Sequence, residues 1–333
     1  MPARVFIYEL FSGGGGHLIG ELEPPGSLLR EGAAMLSAVC ADMAKVAGVN
    51  VSALWDPRIQ AVDAPDVTLH LVRDASDHDR EFSTQIHQAD AVLLIAPELD
   101  GALLNCVEIV ERTRVQLLSP DRRFVALTAD KCSTADYLRR RSVPVPPTYR
   151  CISPTDFPPL GETVTWLAKP VDGAGSEGIY VGSHAELRDW FHAQSGAKCL
   201  QPFINGRSAS VAAICRGSGF QILPPMWQYL DSKNFHYRGG EVMTDSADVD
   251  RAWRLAKLAL GALPPTVGYV GIDMVIGECE AADVVVEVNP RLTSSYLGLR
   301  EFCQSNLAKA MIDAADGCES HLSFLRQPLK FSV

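Results

Sequence analysis

The chain has 333 residues, 47% apolar and 21% charged, which suffices for two or three globular units with their own cores and excludes a disordered chain. Its net charge of −10 excludes a general nucleic-acid binder, because little remains to neutralise phosphates along a strand. No stretch approaches the roughly 18 apolar residues of a membrane span and MPARVFIYEL is too short an apolar run for a secretory signal, so a soluble, cytoplasmic protein without membrane partners is expected.

Residues 4–10 (RVFIYEL) alternate as a first strand, followed by the run SGGGGH with glycines at Gly13 to Gly16. From Ser27 to Ala47 the apolar residues fall at helical spacing, with Ser27 as N-cap and Gly48 as stop. VNVSALW, VTLHLV and ADAVLLIAPE then read as short strands between polar or helical stretches. This rhythm predicts an open parallel sheet up to about residue 118, with strand-end loops bordering a crevice. A helix is predicted over 130–141, broken by the prolines of VPVPPTYRC. A compact unit from about 155 to 200 includes a helix near 184–195. Further strands are expected around 211–216, 270–276 and 283–288, and helices near 247–261 and 301–315. A long polar loop (DSKNFHYRGGEVMTDS) precedes the first of these helices. Nine scattered cysteines with no C-x-x-C pair suit free thiols in a reducing compartment.

Four segments carry chemistry. GYVGIDMVIG at 268–277 and VVVEVNPRLTSSY at 284–296 place Asp273, Glu287 and Asn289 on two strands. Glu287 and Asn289 are two apart and so share a face, with Arg291 at its rim. Two carboxylates, an amide oxygen and an arginine on one face suit an oxygen site for Mg²⁺ bridging phosphates, with a cation for developing charge, the alternative being a surface-facing E-V-N strand beside an unrelated aspartate. LAKPVDGAGSEGIYV at 167–181 sends Lys169 into a turn with Gly173, Gly175, Ser176 and Gly178. Backbone N–H groups there can cradle a polyphosphate, although an ordinary hairpin uses the same residues and no Walker G-K-[ST] ends it. LQPFINGRSASV at 200–211 reads as strand, exposed linker and strand, suited to a purine edge or to a plain hinge. Lys131 opens a helix, where most lysines are merely solvated.

In order and spacing these segments resemble the ATP-grasp superfamily of carboxylate–amine ligases. The likeness rests on D-K plus helix plus V-P-x-P, K-P-x-x-G-x-G-S-x-G-I, Q-x-F-I-x-G, and G-x-D with E-x-N-P-R, over about residues 119–310. It implies an α/β ATP-grasp fold. An N-terminal parallel-sheet domain would span 1–118 and an ATP-grasp region 119–333, the latter split into an α+β lid at 150–202 and a metal and substrate subdomain with an antiparallel sheet at 203–333. By the resemblance Lys131 and Lys169 hold ATP phosphates or the adenine side, and the 173–178 loop is a lid over the β- and γ-phosphates. Gln201 and the backbone of Phe203 and Ile204 line the adenine site. Asp273, Glu287 and Asn289 bind two Mg²⁺ (or Mn²⁺), and Arg291, with Lys169, stabilises the transferred phosphoryl group. Ser208 departs from the pattern, since many relatives carry a ribose-binding glutamate there. The implied reaction is attack of a carboxylate on the γ-phosphate of ATP to give an acyl phosphate, which an amine then converts to an amide. A homodimer is the family's common habit.

The Y-E strand, the S-L-L-R-E-G-x-A-M-L helix and the E-x-N-P-R-L-T-S-S-Y ending most resemble the tyramine–glutamate ligase branch, which serves methanofuran-type one-carbon cofactors. That implies glutamate and an aromatic amine or amino acid as substrates. Thr293 and Ser294 are then candidates to orient the substrate carboxylate, and Arg238 and Gly240 to frame the amine, although a polar loop with turn glycines would look the same. An ATP-grasp ligase for another amino acid or peptide substrate, a kinase on the same scaffold and an inactive nucleotide-binding module are the competing readings. The opening glycines satisfy neither G-x-G-x-x-G nor the Walker pattern. Gly14 and Gly15 are therefore candidates for close backbone approach to the non-nucleotide substrate, with a plain turn as the alternative.

Overall fold

The computed structural model of the protein describes residues 3–20, 26–59, 66–158, 164–175, 178–194, 196–232, 235–325 and 329–332. The alternating first strand and the apolar runs after it form β1 (Ala3–Glu9), β2 (Val49–Trp55), β3 (Val67–Leu71), β4 (Ala91–Ile95) and β5 (Gln116–Leu117). These make a parallel five-stranded sheet in the order β3-β2-β1-β4-β5. The order reverses between β1 and β4, so the carboxyl ends of these two strands border the crevice. Glu9 and Glu98 stand there, both buried. Helices α1 (Gly26–Ala44), α2 (Ala75–Gln88) and α3 (Ala102–Glu111) cover the sheet.

Asp121 and Asp130 cap two short helices, α4 (Arg122–Thr128) and α5 (Lys131–Arg139). A four-stranded antiparallel sheet follows, made of β6 (Tyr149–Cys151), β7 (Trp166–Pro170), β8 (Tyr180–Gly182) and β9 (Lys198–Pro202) in the order β6-β9-β7-β8. Helix α6 (His184–His192), held by a Ser183–Glu186 capping box, packs on it. This small unit has its own core around Trp166, Leu187, Phe191 and Leu200, separate from the cores of both large sheets.

The third sheet is antiparallel. Its strands are β10 (Arg207–Gly217), β11 (Gly219–Ile222), β12 (Met226–Leu230), β13 (Tyr237–Val242), β14 (Thr266–Ile276), β15 (Val284–Asn289) and β16 (Lys330–Ser332). Helix α7 (Ser246–Ala262) covers one face; α8 (Ser295–Phe302) and α9 (Leu307–Ala315) lie on the other. Two expectations are corrected here. The polar loop before α7 contains β13, because Tyr237 to Val242 run beside β12 and Gly239 to Glu241 pair with β16. The single helix expected over 301–315 is two helices: Cys303 turns extended to bridge Phe324, and Asn306 recaps the chain by accepting from Lys309 N.

One core joins the first and third sheets. Met35, Leu36 and Val39 of α1 pack with Tyr296, Leu299, Leu307 and Met311 of α8 and α9. Asp42 lies under this junction. It accepts from Arg300 Nε (2.8 Å), Arg300 Nη2 (2.7 Å) and Tyr296 Oη (2.9 Å). Asp42→Ala leaves Arg300 with only the exposed Glu301 as counter-charge and Tyr296 Oη without its acceptor, and is expected to lower unfolding stability by about 3 kcal/mol. Chemical denaturation checks this, and Asp42→Asn should retain part of the loss.

Candidate active site

A cavity of about 280 Å³ lies where the three units meet. Its floor is the third sheet, and the strand pattern explains why. Along β10, Ala209, Val211 and Ala213 pack under α7, while Ser208 and Ser210 face the cavity. Asp273 of β14 is opposite both Ser210 of β10 and Glu287 of β15. The β14–β15 register slips by one residue between Asp273/Glu287 and Met274/Val285, making Val286 the extra residue of a β-bulge. The bulge allows Val285 and Val288 both to enter the core while Glu287 and Asn289 turn to the cavity. It also frees the Val286 carbonyl, which accepts from Lys169 Nζ at 3.3 Å.

Two acids directly opposite each other repel, and the surroundings answer that repulsion unequally. Asp273 accepts from Asn289 Nδ2 (2.8 Å) and Gln228 Nε2 (2.9 Å). Burial, with Glu287 alongside, still pushes its pKa up to about 6. Glu287 is also partly desolvated, but Lys131 and Lys169 outweigh that and hold it below the usual carboxylate range. Lys131 Nζ lies 3.1 Å from Glu287 Oε1 and donates to the Gly173 carbonyl at 2.9 Å. Burial works against the lysine's charge, but Glu287 and Glu98 hold its pKa above the ordinary value. Arg291 is clamped by Glu98 in a two-point ion pair, at 3.1 and 3.2 Å.

Most residues singled out in the sequence meet in this cavity. Lys131, Lys169, Gly173 and Gly175 form one wall; Gln201, Phe203, Ile204 and Ser208 a second; Asp273, Glu287, Asn289, Arg291, Thr293 and Ser294 the floor and far end. Gly173 and Gly175 take left-handed φ values of 124° and 72°, and the turn closes on the N-terminal unit. A Cβ at Gly175 would lie 2.3 Å from Leu28. Ser176 lies outside the described residues, and Gly178 does not line the cavity.

Four other expected contacts are elsewhere. Gly14 packs on Val72, and a Cβ at Gly15 would lie 2.2 Å from Tyr8 Oη, so both serve the inside of the N-terminal unit. Arg238 pairs with Asp231 at the surface, at 3.1 Å. Gly240 is pressed against the Trp227 carbonyl within the sheet. Glu31, Gln228 and Tyr237 also line the cavity and were missed in the sequence. Glu31 lies in the S-L-L-R-E-G-x-A-M-L helix, where nothing local marks it as a site residue, and Tyr237 lies in an apparent loop.

The donor set fits a hard cation. Carboxylates, amides and hydroxyls supply oxygen only, and Ser210 Oγ and Tyr237 Oη are buried in the wall without a hydrogen-bond partner among the described residues. Among those residues no helix is long and apolar enough to cross a membrane.

An ATP-grasp domain model matches residues 128–295 and a pre-ATP-grasp domain model residues 49–123. The chain belongs to the ATP-grasp family, and so uses ATP. It is 26% identical to the tyramine–L-glutamate ligases of Methanocaldococcus fervens and Methanocaldococcus jannaschii, over 73% of this chain and 72% and 68% of theirs. It is an ATP-dependent carbon–nitrogen ligase resembling that branch. An ATP-grasp superfamily protein from Archaeoglobus fulgidus superposes with TM-score 0.71 at 22% identity, covering 95% of this chain and 89% of that one. The ADP complex of N5-carboxyaminoimidazole ribonucleotide synthetase gives 0.74 at 15%, covering 98% and 80%. These structures establish the fold.

Lys131 ties the glycine turn to the acid strands, and bonds of this charged kind contribute about 1.5–3 kcal/mol. Lys131→Ala is therefore expected to raise the KM for ATP roughly 10- to 100-fold, which steady-state kinetics would show.

Proposed function

We propose that the enzyme activates a carboxylate of glutamate with ATP and joins it to an aromatic amine, tyramine or tyrosine, in the assembly of a methanofuran-type cofactor. The observation that carries this proposal is the two-ended cavity. One end has Lys131, Lys169, Asp273 and Glu287; past Arg291, the other is lined by Glu31, Ser294 and Tyr237. Adenine lies against Gln201 to Ile204 and the phosphates point to the lysines. Mg²⁺, two ions in this proposal, held by Asp273, Glu287 and Asn289, would neutralise phosphate oxygens and align them for transfer. Arg291 meets the charge that develops on the transferred group, and Glu98 fixes its plane. The carboxylate oxygen bonds to the γ-phosphorus as ADP leaves. The amine nitrogen then bonds to the acyl carbon, phosphate leaves, and the nitrogen loses a proton. Closure of the glycine turn keeps water from the acyl phosphate.

Glu31 is assigned here to the amine. It is half-buried and accepts from Ser294 Oγ at 2.6 Å. Burial, despite Ser294 and Arg291, raises its pKa. A carboxylate in such a place favours a cationic partner, and the substrate ammonium supplies one, with the tyrosine ring of Tyr237 available to an aromatic side chain.

ADP and phosphate release, measured with glutamate and tyramine, should require both substrates. Release of ADP without phosphate identifies a kinase, and no turnover with any acid and amine pair identifies a binding module. Glu287→Gln should lower kcat at least ~100-fold with the fold retained; near-normal turnover removes the metal assignment. Glu31→Gln should raise the amine KM about 10- to 100-fold and leave the KM for ATP within about threefold; equal effects on both substrates would remove Glu31 from the amine site.

A further inference from the structure

Away from the catalytic cavity, His17, His78 and Asp79 meet at the carboxyl end of the N-terminal sheet. His17 sits on the 3₁₀ turn Gly15–Ile19 that begins within the glycine run, and His78 and Asp79 lie in the first turns of α2. None of the three lines the catalytic cavity. One ligand atom from each lies within 4.8 Å of the other two. His17 Nε2 is 3.2 Å and His78 Nδ1 3.0 Å from the same oxygen, Asp79 Oδ1. A tetrahedral ion about 2.0–2.2 Å from nitrogen and oxygen ligands spaces neighbouring ligand atoms by roughly 3.3–3.6 Å, so two of the three separations are already near that value.

The nitrogens on the far side of each ring are also held. His17 Nδ1 faces the Gly14 carbonyl at 3.4 Å. A carbonyl and a carboxylate oxygen both only accept, so Nε2 faces Asp79 Oδ1 as a donor, and a bound ion would take the place of that hydrogen. His78 Nε2 is 2.8 Å from Tyr8 Oη, and the ring stacks on Phe82 with an interplanar angle of 13°. Outer hydrogen bonds of this kind fix the tautomer and aim of metal-binding imidazoles. They also give the glycines a purpose. A Cβ at Gly15 would strike Tyr8 Oη and lie 3.1 Å from His78 Nε2, so only a residue without a side chain lets the turn sit on the Tyr8–His78 pair and present His17. The cluster opens outward through Asp79, whose side chain is 66% exposed, which leaves room for water ligands.

We propose that His17, His78 and Asp79 form a second divalent-metal site, of the Zn²⁺ class, that pins the glycine-rich turn to α2. Two imidazoles and one carboxylate favour zinc and its neighbours over Mg²⁺ or Ca²⁺, which seek oxygen. The site is separate in place and chemistry from the all-oxygen Asp273–Glu287 group. Ligase turnover and this site stand or fall independently.

The test is equilibrium dialysis of the whole protein against Zn²⁺ with metal analysis, repeated in Glu287→Gln to disable the acidic site. One zinc equivalent should persist in Glu287→Gln and give visible bands when Co²⁺ replaces it. His17→Gln and Asp79→Asn should each weaken it by more than the roughly 10- to 100-fold that loss of an outer partner costs, and Tyr8→Phe by about that outer-partner amount. Zinc should raise the melting temperature of the wild type and not of these two ligand variants. Zinc stoichiometry and affinity unchanged in both ligand variants, or no zinc beyond what Glu287→Gln removes, would overturn the proposal. Asp79 is exposed, so Asp79→Asn decides the matter if His17→Gln folds poorly.

Discussion

The structure depends on one electrostatic constraint, the placing of Asp273 and Glu287 opposite each other on adjacent antiparallel strands. Like charges in that position destabilise a sheet, and burial raises the cost. Asn289 and Gln228 donate from within the sheet, but the compensating cations come from beyond its strands. Lys131 stands at the start of a helix, Lys169 on a strand of the small sheet, and Arg291 is held from the N-terminal unit by Glu98. Charge balance at this point therefore uses all three units.

The mechanical arrangement follows from the same geometry. Helices α1, α8 and α9 fuse the first and third sheets through a shared core, with Asp42 binding Arg300 and Tyr296 beneath it. The small sheet has only its own core and reaches the acids through Lys169, while its glycine turn is tied by Lys131. A unit joined to a rigid body by polar contacts at one edge is built to respond to what binds between them.

The glycine run shows how a local pattern is put to unexpected use. Glu9, at the end of β1, accepts from Phe11 N, Ser12 N and Ser12 Oγ, which turns the chain back over Tyr8. The glycines are compact packing against the Tyr8–His78 pair, and what they present outward is His17.

The sequence by itself determined the strand and helix alternation of the first unit and the four ATP-grasp segments and their order, and through the resemblance it pointed to Asp273, Glu287, Asn289, Lys169 and Lys131 as candidates. The alternation was legible because period-2 strands, helical spacing and glycine turns depend on neighbours within a few residues, while the two lysines were legible only through the order of the segments. Tertiary structure alone decided that Glu31 and Tyr237 line the cavity while Arg238 and Gly240 do not, and that Glu98 clamps Arg291 across 193 positions. It also decided that Val286 bulges to turn Glu287 inward and that the final helix breaks at Cys303 to reach Phe324. Each of these depends on a partner remote in sequence, and long-range packing and charge compensation leave no local period for a sequence pattern to carry.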